Sequence, residues 1–431
     1  MEKPSRSGSS VVDVEALWNE LREIVGVDHL RMPVDEDRID GILPLAVIEP
    51  KTEKEAAQVL KSATGAGLRV IPRGSGTKIS WGNTPRQDFV ILLTRLLHRL
   101  VEHAWGDMTA TVEAGCTVTQ FQKSLAEHGQ RLALDPAWPD RATIGGILAT
   151  NDSGPLRGRY GSLRDLIIGI TLALPDGTLA KSGGKVVKNV AGYDLPKLAT
   201  GSFGTLGIIT QAIFRLHPVP NESRTLSFST PDARTANNLI LAIQDSPMVP
   251  TGLQVRASSS ASPQVDVRFE GTATGCDAQI EQTVHAAGSL KRADPPADVW
   301  NQHGQIWSGS ELSVVCKFTF LPSDLGLFLA ELKTITDTLA LTWQLVAQGV
   351  GVGFVRLDGP SSADYARASQ LIRDVVEGHD GFLIVLHCPL EVKKNIDVWG
   401  SAGDVLTLMK RIKTQFDPQG TLSPGRFIGG I

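Results

Sequence analysis

Cysteine is scarce in this chain of 431 residues, and the four that occur are never close together. Cys116, Cys276, Cys316 and Cys388 form no C-x-x-C pair. Zinc and iron–sulfur centres use closely spaced cysteines, so neither kind of centre has its usual ligand spacing here. The scattered thiols are typical of a cytosolic protein, and we expect a cytoplasmic location.

Long apolar runs and long charged runs are also absent. No stretch reaches the roughly 18 apolar residues that a membrane span needs, and Met1–Ser10 has no apolar signal-peptide core. The 42 lysines and arginines are spread out, and the net charge is −4. We therefore expect no nucleic-acid partner and no direct membrane insertion, so that any contact with the inner membrane is peripheral, through partner subunits.

The common phosphate-binding fingerprints are missing. No G-x-x-x-x-G-K-[ST] sequence occurs, and Gly74-Ser75-Gly76 lacks a third glycine three residues later. A nicotinamide cofactor is disfavoured.

The N-terminal half alternates predicted strands and helices. Val14–Val25 has the spacing of an amphipathic helix. Leu45–Glu49 is a short apolar strand, Thr52–Glu55 is a capping box that opens a helix, and Leu68–Ile71 is a second strand. This order predicts a βαβ unit.

The loop that leaves this unit, Pro72–Lys78, has two interpretations. In the first it is a backbone nest, whose N–H groups hold a pyrophosphate with Arg73 or Lys78 near the charge. In the second it is a glycine turn, since short glycine motifs often match by chance. The loop alone leaves both open.

Ala142–Asn151 is the stretch around which we expect the chain to be organised. Its adjacent glycines, Gly145 and Gly146, would let the backbone press against something large, because no Cβ holds it away. Downstream, the predicted hairpin Leu172–Leu179 and the segment Gly201–Thr210 also join glycines to apolar runs. We expect these loops to gather at one edge of a sheet around a cofactor.

Several segments occur in the order and spacing of flavoproteins of the vanillyl-alcohol oxidase type, which have the FAD-binding PCMH fold, and the chain resembles them. They are Arg73–Thr77, Val112–Gly115, Ala142–Gly146, Tyr160–Gly161, Gly192–Leu195 and Gly204–Thr210. Within that superfamily, Val187–Leu195 and the closing Phe416–Phe427 resemble the GlcE component of glycolate oxidases.

The resemblance implies an α+β protein with two FAD-binding subdomains. We assign 1–39 to a tail and helix, 40–220 to the FAD domain, 221–405 to a cap and 406–431 to a segment that returns to the FAD domain. In the cap, predicted strands such as Val265–Phe269, Leu312–Phe320 and Phe382–His387 alternate with helices such as Asp324–Leu339, which predicts an α+β domain with an antiparallel sheet. We interpret the spaced glycines of Gly349–Gly353 as strand positions against which another backbone packs.

The resemblance also implies an FAD that lies along the glycine loops. Many members of the family bind the flavin covalently through histidine or cysteine, but Ser75 and Thr77 stand where a histidine could, so we expect non-covalent FAD. No metal is expected. The implied contacts are Pro72, Arg73, Gly74, Ser75, Gly76, Thr77, Lys78, Pro139, Ala142, Thr143, Ile144, Gly145, Gly146, Ala149, Thr150, Asn151, Tyr160, Gly161, Gly204, Gly207, Ile208 and Ile209.

Catalytic paralogues that oxidise D-2-hydroxy acids add a His-x-Gly-Asp-Gly-Asn-x-His segment, which this sequence lacks. Two hypotheses follow. In one, the chain is the FAD-binding subunit of a glycolate oxidase complex, together with a larger flavin subunit and an iron–sulfur subunit. In the other, it is a self-sufficient D-2-hydroxy acid dehydrogenase, for which Arg356 would hold the substrate carboxylate and His387 would be the base. A lone strand histidine such as His387 is more often a packed residue than a base.

Overall fold

The computed structural model describes residues 14–184, 192–308 and 312–431. It begins with helix α1, Val14–Val25, as the spacing predicts. Part of the segment Val187–Leu195, on which the resemblance to GlcE partly depends, lies outside the described residues.

A four-stranded sheet opens the N-terminal domain, the part of the chain that was assigned to FAD and is called the FAD domain below. Its central strand β4 runs parallel to both β2 and β3, and the strand order is β1-β2-β4-β3. The predicted strand, helix and second strand are present, although β4 separates the two strands. Thr52 caps the helix, as expected, by accepting a hydrogen bond from the Glu55 N–H at 3.1 Å. The elements are β1 Leu30–Arg31, β2 Val47–Ile48, α2 Glu53–Gly65, β3 Arg69–Arg73 and β4 Phe89–Leu93.

A second, antiparallel sheet completes this domain, with the order β5-β6-β10-β8-β9. Its apolar face packs against the helices that follow β6, with Val112, Phe121 and Ile147 at most 1% exposed. The elements are β5 Leu100–Ala104, β6 Thr109–Glu113, α3 Val118–Ala126, β7 Gln130–Arg131, α4 Ile144–Thr150, α5 Arg157–Tyr160, α6 Leu163–Leu166, β8 Ile167–Ala173, β9 Leu179–Gly183, α7 Leu195–Ala199, β10 Ile208–Arg215 and β11 His217–Pro218.

The cap contains one eight-stranded antiparallel sheet, in the order β15-β12-β14-β13-β17-β18-β16-β19. The predicted antiparallel cap sheet is confirmed. Its elements are β12 Glu222–Ser229, α8 Ala233–Gln244, β13 Gly252–Ser258, β14 Ala261–Gly271, α9 Ala273–Ala287, β15 Lys291–Ala293, α10 Gln302–Gln305, β16 Val314–Thr319, α11 Leu325–Thr338, β17 Thr342–Gln348, β18 Val352–Asp358, α12 Ser362–Gly378, β19 Phe382–His387 and α13 Leu390–Lys393. Helix α14, Leu406–Phe416, follows in the C-terminal segment.

The glycines of Gly349–Gly353 divide between a turn and a strand, which corrects their interpretation as strand positions alone. Gly353 lies in β18, where a Cβ would be 2.3 Å from the ring of Phe318. Gly351 lies in the turn between β17 and β18 with φ +78°, a conformation that favours glycine.

The two faces of the cap sheet have different partners. One face packs against helices, with Cys316, Phe318 and Phe328 in its core. The opposite face meets the FAD domain through Val315 and Phe354, which pack in one cluster with Trp81. The C-terminal segment also returns to the FAD domain: Val70 donates to the Thr421 carbonyl at 2.8 Å, and Ser423 donates to the Val70 carbonyl at 2.9 Å. No helix in the described ranges has the length and apolarity of a membrane span.

Candidate cofactor-binding site

A cavity with about 740 Å³ of empty space, part of it open to solvent, lies where the loop after β3, the start of α4, the approach to β10 and the C-terminal segment meet. Most of the predicted contacts line it: Pro72, Arg73, Gly74, Ser75, Gly76, Thr77, Lys78, Thr143, Gly145, Gly146, Ala149, Thr150, Gly204, Gly207, Ile208 and Ile209.

The loop after β3 presents its backbone to this cavity. In the part of the chain that the structure describes, the N–H groups of Ser75, Gly76 and Thr77 have no protein acceptor. Gly74 is packed so closely against Thr143 that a Cβ would stand 2.2 Å from the threonine Oγ1. Unsatisfied backbone donors beside a cavity are a feature of anion-binding nests, so the geometry favours the nest over the simple turn.

Arg73 lines the cavity, but its guanidinium is held by protein. Its Nη2 lies 2.7 Å from Asp37 Oδ1, and Asp37 also accepts from Arg31 Nη1 at 2.6 Å. Burial acts to raise the pKa of the Asp37 carboxyl, but hydrogen bonds from Arg31, the Val34 N–H and Arg73 outweigh it and lower that pKa well below its usual range. The ion pair therefore fixes the start of the loop and leaves the loop backbone facing the cavity.

The two glycines at the start of α4 have different neighbours and therefore different functions, and the sequence alone does not show this difference. A Cβ on Gly145 would lie 2.9 Å from the Ala114 Cβ, and the Gly145 N–H donates to the Ala114 carbonyl at 2.7 Å. A Cβ on Gly146 would meet only the Thr143 Oγ1, at 3.1 Å. Gly145 therefore lets α4 pack against the end of β6, whereas Gly146 keeps the cavity free of a side chain.

Glycines also bring the approach to β10 close to the loop. A Cβ on Gly204 would be 2.7 Å from Pro72, and Gly204 has φ +71°. A Cβ on Gly207 would be 3.2 Å from Leu172 in β8. Larger residues here would push apart two walls of the cavity.

Further lining residues were not predicted from the sequence: Ile79, Thr94, Phe203, Ser423 and Arg426. Arg426 is 3% exposed, and it donates to the carbonyls of Ile79 and Trp81. Burial lowers the pKa of its guanidinium to about 10. The closing Phe416–Phe427 segment was a sequence signal for Ser423 and Arg426, because it carried the family resemblance. Phe203 lies in the Gly201–Thr210 segment that was expected beside the cofactor, whereas Ile79 and Thr94 had no sequence signal.

Six predicted contacts do not line this cavity, and their assignment stays a prediction. Ala142, just before α4, and Ile144, its first residue, are buried in the core. The Tyr160 hydroxyl accepts from Arg131 at 3.0 Å and Gly161 ends α5, in a region next to β7 and β11. The complete set is Pro139, Ala142, Ile144, Asn151, Tyr160 and Gly161.

The two proposed catalytic residues lie in the cap and outside the cavity lining. Arg356 in β18 and His387 in β19 both pair with Val315, so the three residues are neighbours across the sheet. The Arg356 Nε and Nη2 lie 3.0 and 2.6 Å from Asp358 Oδ1, and the guanidinium also donates to the Ser308 carbonyl. Arg356 is therefore committed to protein acceptors, which is a poor arrangement for holding a substrate carboxylate.

The cavity walls suit a large cofactor with flat and phosphate-bearing parts: they combine free N–H groups with a surface kept clear by Gly146. Among the described residues, no histidine, cysteine or tyrosine lines the cavity. Non-covalent attachment stays a prediction. In the described ranges, no group of three or more histidine, cysteine or carboxylate side chains could hold a metal ion.

Sequence comparison relates this chain to flavoenzymes. Residues 44–183 match the family described as FAD binding domain. The chain is 38% identical over 185 residues to glycolate oxidase subunit GlcD of Bacillus subtilis (strain 168), covering 43% of this chain and 39% of that one. It is 27% identical over 427 residues to the mitochondrial D-lactate dehydrogenase (cytochrome) of Arabidopsis thaliana, covering 90% of this chain and 74% of that one. A D-lactate dehydrogenase of Archaeoglobus fulgidus is 32% identical over 245 residues, covering 55% of this chain and 54% of that one. The match thus spans well under two thirds of GlcD.

Solved structures share the whole architecture. p-Cresol methylhydroxylase with substrate bound superposes with a TM-score of 0.79 at 17% identity, covering 97% of each chain. Alkyldihydroxyacetonephosphate synthase superposes with a TM-score of 0.75 at 18% identity, covering 99% of this chain and 87% of that one. The predicted fold class is confirmed as an α+β FAD-binding fold of the PCMH type with an antiparallel cap sheet. The closer relation to GlcE stays a prediction.

Proposed function

The chain has an FAD-binding domain in a PCMH-type fold and is related to GlcD and to D-lactate dehydrogenases, and on this premise we propose that it is the FAD-binding subunit of a glycolate oxidase complex. The proposed reaction oxidises glycolate to glyoxylate, with electrons passing to an iron–sulfur partner. The observation that carries the proposal is the cavity lined by the unsatisfied N–H groups of Ser75, Gly76 and Thr77 and by the open side of Gly146.

The same residues fit FAD as the cofactor. The N–H groups of the loop after β3 would hold its diphosphate, because oriented backbone N–H groups bind anions. Gly146 and Gly207 would leave room for the flat ring system. Bound FAD would supply the acceptor for the two electrons and the hydrogen that leave the substrate carbon.

A role within a complex is supported by the lack of iron–sulfur ligand motifs in this sequence. No C-x-x-C pair occurs in the sequence, so an iron–sulfur cluster would need ligands from another polypeptide. The Bacillus subtilis relative is itself named as a subunit of glycolate oxidase. We propose a larger flavin subunit and an iron–sulfur subunit as the partners.

A self-sufficient dehydrogenase is the second candidate. The observation that favours it is the match to the Arabidopsis D-lactate dehydrogenase over 90% of this chain, which includes the cap.

Reduction of the flavin in the isolated chain would distinguish the two candidates. The protein is purified alone, its flavin spectrum is recorded, and glycolate or D-lactate is added without oxygen. We expect acid denaturation to release the flavin, and glycolate-dependent dye reduction to need the added partner subunits. Dye reduction by the isolated chain at about one turnover per second or faster would favour the dehydrogenase. Flavin that stays with the precipitated protein would show a covalent bond.

A further inference from the structure

A polar cluster lies between the cofactor cavity and the cap sheet, and three of its side chains are buried while two, Trp307 and Lys317, are half-buried. We define the interface cluster as Lys78, Asp152, His303, Trp307 and Lys317. Lys78 and Asp152 belong to the FAD domain, and the other three to the cap.

Lys78 connects this cluster to the cavity. Lys78 lines the cavity, but its ammonium lies 3.0 Å from Asp152 Oδ2. The side chains of Lys78 and Asp152 are 4% and 2% exposed. The ammonium also faces the rings of Trp138 and Trp81, at 5.2 and 5.7 Å from their centroids. The cluster therefore begins directly behind the cavity wall.

Two cap residues bring unused hydrogen-bonding groups to this place. His303 and Trp307 are four residues apart, and the ring of Trp307 stacks on Trp81 at 5.3 Å. His303 is 2% exposed, and a Cβ on Gly154 of the FAD domain would be 2.8 Å from its ring. Within the described residues, neither ring nitrogen of His303 nor the Nε1 of Trp307 has a hydrogen-bond partner. Buried polar groups are nearly always satisfied, so such a group calls for an explanation.

Lys317 adds a positive charge from β16. Side chains alternate along a strand, so Lys317 lies on the face of Val315, which meets the FAD domain. Burial lowers the pKa of its ammonium to about 8, the Asp152 carboxylate acts to raise that pKa, and the Arg157 guanidinium lowers it further. Among the described residues, no carboxylate lies within ion-pair distance of Lys317, and its ammonium lies 6.0 Å from the centroid of the Phe354 ring.

The charges around the cluster leave a surplus of cations. Asp152 is paired with Lys78. Asp135, the second carboxylate near His303, has Arg268 at 3.7 Å. Lys317 therefore keeps a positive charge that neither of these carboxylates neutralises directly, which suits a small anion.

We propose that the interface cluster binds the carboxylate of the 2-hydroxy acid, with Lys317 supplying the charge and His303 and Trp307 supplying N–H donors. This inference rests on the proposed function and names the carboxylate-binding residues of its substrate. Lys317 takes the role that was expected for Arg356 from the sequence, because the Arg356 guanidinium is held by Asp358. Because the unused nitrogens are buried, entry of the anion requires the partly exposed Trp307 side chain to shift.

Calorimetric titration of the FAD-loaded protein with oxalate tests this site without turnover, because oxalate has carboxylates but no hydrogen to give up. We expect saturable binding that Lys317→Met and Trp307→Phe each weaken by about tenfold, the usual value of a hydrogen bond to a charged group. His303→Phe should weaken binding similarly, and His303→Gln, which keeps a donor, should restore part of it. Lys333→Met, on the exposed side of α11, is the matched control and should not change the affinity.

Several results would overturn the proposal: no oxalate binding by the native protein, or equal affinities in native protein, Lys317→Met and Trp307→Phe. If Lys317→Met does not fold, the oxalate affinities of Trp307→Phe and His303→Gln test the proposal instead. Oxalate binding that depends on Lys317, without flavin reduction by glycolate even in the presence of partners, would support the site and contradict the proposed function. Glycolate-dependent flavin reduction, together with an oxalate affinity that is the same in the native protein and in the variants, would support the proposed function and contradict the site.

Discussion

The cofactor cavity and the interface cluster adjoin each other but consist of different kinds of chemical groups. The cavity is lined mainly by glycines, hydroxyl residues and backbone, and its charged residues are engaged elsewhere: Arg73 with Asp37 at 2.7 Å, Lys78 with Asp152 at 3.0 Å, and Arg426 with two carbonyls. The cluster is made of ionisable and aromatic side chains. A cofactor here would be held by backbone shape, and a substrate by side-chain charge.

This difference has an energetic counterpart. A cavity kept clear by glycine costs little when empty, because it leaves no charge without a partner. The Lys317 side chain is half-buried, and the desolvation that lowers the pKa of its ammonium destabilises the charged form in the folded chain. Substitutions in the cavity should therefore affect cofactor binding before stability, whereas substitutions in the cluster should affect stability even without ligand.

The largest effect should come from Gly146→Val. Its side chain would enter the cavity, so we expect a folded protein with no bound FAD, measured as flavin absorbance per protein. Gly145→Val is the matched control: overpacking against Ala114 should cost about 1–3 kcal/mol of unfolding free energy. Full flavin occupancy in Gly146→Val would show that the start of α4 is not a cofactor wall.

Lys78→Met should show the strongest loss of stability in the cluster. It leaves the Asp152 carboxylate buried without its partner, at a cost of about 3–5 kcal/mol in denaturant unfolding. Lys78→Met combined with Asp152→Asn should recover part of the loss, because no unpaired charge stays buried. Equal losses in the single and double variants would mean that the pair is not coupled.

Lys317→Met should change stability in the opposite direction. The folded pKa of Lys317, about 8, is below its ordinary value of 10.5, so the folded protein binds fewer protons between these values and becomes more stable as pH rises through them. Removal of the charge should stabilise the chain near neutral pH by up to about 3 kcal/mol and abolish this pH dependence. A variant that is less stable than the native chain at neutral pH would show that Lys317 has a stabilising partner.

Thr143→Ala should have the smallest effect on stability. Its comparison with Thr117→Ala separates a role in the cavity from the ordinary role of a helix cap. Thr143 caps α4 and lines the cavity, whereas Thr117 caps α3 outside it. Each alanine variant should lose about 1 kcal/mol of stability. Only Thr143→Ala should also weaken FAD binding, as judged by titration of the apoprotein. Equal FAD affinities would limit Thr143 to a capping role.

Much of the fold follows from local patterns in the sequence. The helix Val14–Val25, the Thr52 cap and the antiparallel cap sheet agree with their predictions, because apolar spacing and capping residues act over a few residues. The order in which the strands pair could not be predicted in this way. Strand β4 lies between β2 and β3 although it comes later in the chain, because long-range packing decides the order.

The sequence by itself predicted most of the residues that line the cavity, because a cavity made of backbone needs glycines at particular points, and Gly74, Gly146 and Gly204 are visible as such. Tertiary structure decided the rest. It gave Gly145 and Gly146 different neighbours, tied Arg356 to Asp358, and brought Lys78, His303 and Lys317 together from distant parts of the chain. Such side chains carry no local signal, since their spacing in sequence is set by the crossing of the cap sheet over the FAD domain.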